Sequence, residues 1–170
     1  MLTELINTTP YVSWKEGEST LSQNPPFYCL WVPTVVEIRA AGCNCAGLVN
    51  LLQLSNGRPV PGVATGDFYA GGTDSWHTYL KEACLLEPFD NNRRYPPGAL
   101  LLRRYRDPID QGHMAIIYDD DQKLLHSYYG AGITIDRTVA SSHEWRSEGY
   151  YEFVWPRADL LAFMRRQPSS

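Results

Sequence analysis

Between Gly42 and Leu52 a run of small residues, Gly42-Cys43-Asn44-Cys45-Ala46-Gly47, passes straight into the apolar stretch Leu48-Val49-Asn50-Leu51-Leu52. Small side chains permit a tight turn. Leu48, Leu51 and Leu52 then follow the i, i+3, i+4 spacing of a helix that turns one face to a core. The pattern predicts a helix over 46–55, halted at Asn56-Gly57, with Asn44 able to cap its start. A cysteine at such a start meets unpaired backbone N–H groups and the positive end of the helix dipole, both of which favour thiolate over thiol. Cys45 is therefore the candidate nucleophile. Cys43 is its rival, but helix phase leaves Cys43 in the turn.

The second half of the chain has a different rhythm. From Pro96 onward, short apolar segments alternate with turn residues: Ala99–Arg103, Gly112–Tyr118, Leu124–Tyr129, Ile133–Ile135 and Gly149–Val154. These read as strands of an antiparallel meander. Upstream, Leu2–Asn7 reads as a short helix and Tyr11–Asn24 as a polar surface arm. Phe27–Val32 is a dense apolar segment, and Val35–Ala41 is extended or briefly helical. Arg58–Gly72, rich in proline and glycine, reads as a loop. A second helix is expected over Trp76–Leu86, capped by Asp74-Ser75, followed by a polar loop to Tyr95. Ala158–Met164 reads as a closing helix. Helices followed by a meander predict an α+β fold, with N-terminal helices packed on an antiparallel sheet of about five strands. The 170 residues are read as one domain over 1–170, with 1–26 as an N-terminal arm.

Several function classes find no support. The net charge is −4 and no basic stripe appears, so nucleic acid is not an expected partner. No run of about 18 apolar residues offers a membrane span, and the N-terminus lacks the basic and apolar regions of a secretory signal. A cytoplasmic location, or delivery by a phage or virus particle or a specialised export route, is the corresponding expectation. Cys29, Cys43, Cys45 and Cys84 read as free thiols, because Cys43 and Cys45 lack the spacing of a zinc knuckle. Asp119-Asp120-Asp121 runs into Gln122-Lys123 and reads as a solvated hairpin turn rather than a calcium loop. No metal or cofactor is expected. The 11 tyrosines and 5 tryptophans read chiefly as core and sheet packing. His77 and His143 read as surface or structural histidines.

A thiol nucleophile needs a base, and the base needs an orienting partner. His113 opens one expected strand and His126 lies within the next. An antiparallel pair joined by the acidic turn would set the two imidazoles side by side, so that His113 accepts the thiol proton and His126 fixes its tautomer.

These stretches carry a resemblance. Asn44-Cys45-Ala46-Gly47-Leu48-Val49, Pro97-Gly98-Ala99-Leu100, His113-Met114-Ala115-Ile116-Ile117-Tyr118 and Leu124-Leu125-His126-Ser127 occur in the order and approximate spacing of a known pattern. Across residues 42–136 the chain resembles the NlpC-type cell-wall cysteine peptidases, a branch of the papain-like superfamily. Phe153-Val154-Trp155-Pro156-Arg157 is similar to their last strand. Asn44, Ala46 and Ala99 stand where the family has Asp, Ser and Asp, which marks a divergent member. The resemblance implies a papain-like fold and a Cys45–His113–His126 triad. It also implies hydrolysis of amide bonds through an acyl-enzyme, with peptides or peptidoglycan fragments as substrates. The family's usual scissile bond joins D-glutamate to a diamino acid in stem peptides. Tyr28 and Trp31 are carried over as aromatics bordering the substrate, with Asn44 beside the nucleophile. Two other functions fit the same scaffold: acyl transfer or deacylation of another amide or thioester, and a binding module that kept the groove and lost the chemistry.

Overall fold

The computed structural model describes residues 2–15, 17–20, 34–138, 152–156 and 160–161. Among them it is an α+β structure with helices α1 (Leu2–Leu5), α2 (Val35–Ala41), α3 (Cys45–Ser55) and α4 (Thr73–Glu82). The strands are β1 (Glu87–Pro88), β2 (Leu100–Arg103), β3 (His113–Ile117), β4 (Lys123–Tyr128), β5 (Gly132–Thr138) and β6 (Phe153–Trp155). They form one six-stranded sheet in the order β1-β6-β2-β3-β4-β5, with every pairing antiparallel. The expected meander β2-β3-β4-β5 is present. The sixth strand is β1, in a stretch expected to be loop. It adds an edge through only two residue pairs with β6, too short to register as alternation in the sequence.

Alternation along the strands sorts the apolar residues onto two faces. Leu100, Leu102, Met114, Ile116 and Leu125 join the larger core with Leu48, Leu51 and Leu52 of α3 and Trp76 and Leu80 of α4. Leu101, Ala115, Ile117, Leu124 and Val154 form a smaller cluster with Tyr95 and Ala99. Both faces of β2 and β3 are thus buried, which explains their continuous apolar sequences. The large core is made by α3 lying against β3 and β4.

Two helix boundaries differ from expectation. Helix α4 starts at Thr73 behind Gly72 and has no side-chain cap. Ser75 instead donates to Asp67 Oδ2 at 2.5 Å and to the Tyr69 carbonyl at 2.9 Å, tying the helix to the preceding loop. The helix stops at Glu82, because Cys84 takes a left-handed conformation (φ 55°). Its Tyr79 is exposed rather than on the core face with Trp76 and Leu80. Val35–Ala41 resolves as helix, with Thr34 and Glu37 forming a reciprocal capping box. Phe27–Val32, with Tyr28, Cys29 and Trp31, lies outside the described residues, as do His143, residues 149–151 and most of Ala158–Met164. Of that last segment Leu160 and Leu161 are described, and both are buried. Among the described residues no helix is long and apolar enough to cross a membrane.

Candidate active site

Cys45 is the first residue of α3. The Asn44 side chain accepts the Gly47 N–H at 2.7 Å, so the cap read from the sequence is made. Gly42 precedes this turn at φ 82°, and a Cβ there would stand 3.0 Å from both the Pro10 carbonyl and the Val12 side chain. The reason for glycine is therefore a close approach by the N-terminal arm. Tyr11 forms a parallel bridge with Cys43, and the Cys43 N–H donates to the Pro10 carbonyl at 2.9 Å.

The turn meets the sheet where β3 and β4 separate. These strands pair at Ile116–Leu125 and Ile117–Leu124. Beyond those pairs the ladder gives way to other contacts. Ser127 Oγ donates to the Cys43 carbonyl at 2.7 Å. The backbone N–H groups of Met114, Ala46 and Cys45 itself lie near the Cys45 sulfur and favour its thiolate. The sulfur therefore sits against β3 one residue from His113. His113 and His126 share the same strand parity, and His113 Nε2 lies 3.1 Å from His126 Nδ1. With Nε2 committed to His126, a proton accepted by His113 would go to Nδ1.

Burial dominates the electrostatics. It pushes the Cys45 thiol up, against the lowering pull of the three N–H groups and of the Arg103 guanidinium. It holds His113 well below the usual imidazole range, helped by His126 and by Arg103. It lowers His126 to about 4, against the opposing charge of Asp136. The resting pair is thus a neutral thiol and a neutral imidazole. The helix start alone predicted a depressed thiol. The donors it supplies are present, but desolvation outweighs them.

A cavity of about 260 Å³ opens over Cys45. Tyr11, Trp14, Tyr69 and Tyr105 give it aromatic walls, and Asn44 and Asp74 lie on its border. Trp14 meets Tyr69 edge to face, with centroids 5.7 Å apart. Burial, and after it the nearby Cys45 sulfur, raises the Tyr11 hydroxyl above the usual phenol range. Sequence reasoning placed the bordering aromatics at Tyr28 and Trp31, which lie outside the described residues. It missed Tyr11 and Trp14, although two large aromatics three apart in a polar arm were a usable signal. It also missed Arg103, which opposes His113 in the β2–β3 register and is ion-paired with Asp110.

The structure brings His113 and His126 into contact and places Cys45, behind its Asn44 cap, in the wall of the cavity, with β3 close to the sulfur at Met114. Among the described residues no group of three or more His, Cys, Asp or Glu could hold a metal ion. No family model matches the chain, and no curated protein matches it by sequence.

Proposed function

We propose that the protein is a thiol hydrolase of amide bonds on a papain-like fold of the NlpC type, with stem peptides of peptidoglycan as its substrates. Two observations support this reading: a thiol at the start of α3 in the wall of a cavity, and the 3.1 Å contact between His113 Nε2 and His126 Nδ1. For His113 to act as base its proton must reside on Nε2 and be donated to His126 Nδ1, with Nδ1 of His113 as the accepting nitrogen. His126 then carries its own proton on Nε2. His113 takes the Cys45 proton as the sulfur attacks the carbonyl carbon. The resulting oxyanion is met by N–H groups at the start of α3. The C–N bond breaks, His113 returns the proton to the leaving amine, and an acyl-enzyme remains. Water attacks that thioester with His113 again as base, and the carboxylic acid leaves as Cys45 regains its proton. Because the resting pair is neutral, the thiolate forms during attack rather than before it.

The burial that keeps Cys45 protonated also suits a second reading, a binding module that keeps the cleft without the chemistry. A γ-D-glutamyl–diamino acid stem peptide incubated with the protein separates the two. Cleavage at that amide, abolished by Cys45→Ala, supports the hydrolase. Binding without cleavage, and without trapping of an acyl group on Cys45, overturns it in favour of the module.

A further inference from the structure

Helix α4 joins the thiol cavity to a second one. Asp74, in its first turn, borders the cavity over Cys45. His77 and Lys81 follow on the same face at helical spacing and line a separate cleft of about 320 Å³ with Arg104, Glu152 and Phe153. The connection after β2 makes the same step, since Tyr105 lines the first cavity and its neighbour Arg104 the second. The two cavities are consecutive along one helix and one loop.

Their chemistry differs. The first is aromatic, and the second is cationic in a protein whose net charge is −4. Glu152, the acid lining the second cleft, is ion-paired with Arg106. Lys81 and Arg104 form no ion pair among the described residues. His77 is 5% exposed and sits against the Phe153 ring, with centroids 4.9 Å apart. Among the described residues its ring nitrogens make no side-chain hydrogen bond, and the ring lines the cleft. Burial and then the charge of Arg104 lower its pKa, with a smaller push from Lys81, while Asp74 pulls the other way. His77, Lys81 and Arg104 thus set three nitrogen groups on one cleft whose lining acid, Glu152, is already ion-paired with Arg106, an arrangement suited to an anion.

We propose that His77, Lys81 and Arg104 form a carboxylate-binding subsite for the peptide whose scissile amide lies at Cys45. Lys81 is two turns beyond Asp74, about 10 Å at ~1.5 Å per residue. An extended peptide covers that distance in about three residues. The substrate is therefore an acidic peptide whose carboxylate reaches this cleft while the bond that is cut lies at Cys45. This rests on the hydrolase reading for the location of that bond, but the anion site itself does not depend on a reactive thiol.

The test is an NMR titration of the imidazole signals, carried out on full-length Cys45→Ala so that nothing is turned over. Inorganic phosphate is the first probe. Binding should raise the His77 pKa, and Lys81→Ala with Arg104→Ala should weaken phosphate binding about tenfold or more. Both side chains are exposed, so the double variant should fold, and unchanged His113 and His126 signals would verify that. An acidic stem tripeptide should then displace phosphate from His77, while its fully amidated form should not. A His77 signal indifferent to phosphate and peptide overturns the subsite, whatever Cys45 does. Phosphate binding that the acidic peptide fails to displace overturns its assignment to the substrate. Failure of the hydrolase reading shows separately, as wild-type protein that binds the peptide and does not cleave it.

Discussion

The two sides of strand β3 are built on different terms. Toward β2 it is paired at four of its five residues, from His113–Arg103 to Ile116–Leu100. Toward β4 it is paired at Ile116 and Ile117. The closed side is ordinary sheet, satisfied by backbone and buried leucines. On the open side the donors and acceptors turn to the Cys43–Cys45 turn instead: Met114 N–H lies near the thiol and Ser127 Oγ donates to the Cys43 carbonyl. The comparison teaches where chemistry can be placed in a sheet. A strand gives up ladder bonds at one end, and the groups released hold a reactive residue from another element.

If that contrast is right, substitutions on the open side should act on reactivity, and those on the closed side on stability. The largest effect is expected at His113. His113→Ala should lower stem-peptide hydrolysis about a thousandfold or more, as loss of a general base does, while the melting temperature stays within a few degrees. Hydrolysis that survives the substitution would remove His113 from the mechanism. Leu102→Ala should do the reverse. Leu102 is fully buried in the large core, and its truncation should cost about 3 kcal/mol in urea unfolding with little change in Cys45 labelling.

Acid should find the open side first. Unfolded histidine titrates near 6.5, whereas folded His126 titrates at about 4. Between those values the unfolded chain binds a proton that the folded chain does not, so stability falls as the pH drops through that window. His126 alone should account for about 3 kcal/mol between pH 7 and pH 4, and His113 shifts in the same direction. Urea midpoints at the two pH values measure this, and His126→Gln should flatten the dependence. The neutral resting pair makes a related prediction. Iodoacetamide labelling of Cys45, resolved by peptide mass spectrometry, should keep rising above pH 9. A fast plateau near pH 6 would mean a preformed thiolate–imidazolium pair.

The smallest effects separate two ways of holding the turn. Asn44→Ala should cost about 1 kcal/mol through the lost cap. Ser127→Ala should cost a similar amount by leaving the buried Cys43 carbonyl unsatisfied. Only the Ser127 change should also slow Cys45 labelling, since it frees the turn from β4.

Much of this was legible because it is local. Helical spacing in Leu48, Leu51 and Leu52 identified α3, and alternation with turn residues identified β2 through β5. Asn44 was readable as a cap because capping joins residues three apart. The edge strand β1 was not, since two residues carry no period. Nor was the start of α4, where Ser75 serves the preceding loop rather than the helix end.

The sequence by itself determined that a thiol stands at a helix start and that two histidines lie on successive antiparallel strands. Both follow from short-range periodicity and turn chemistry. Only the tertiary structure decided the charge state of that thiol and which side chains surround it. The N-terminal arm folds over Gly42 and brings Tyr11 and Trp14 to the cavity, a contact between segments some thirty residues apart. Packing around the turn and the sheet buries His113 and His126 and leaves Cys45 half-buried in the cavity wall. Desolvation depends on everything packed around a group, so it overturned the depressed thiol that the helix terminus alone had led one to expect.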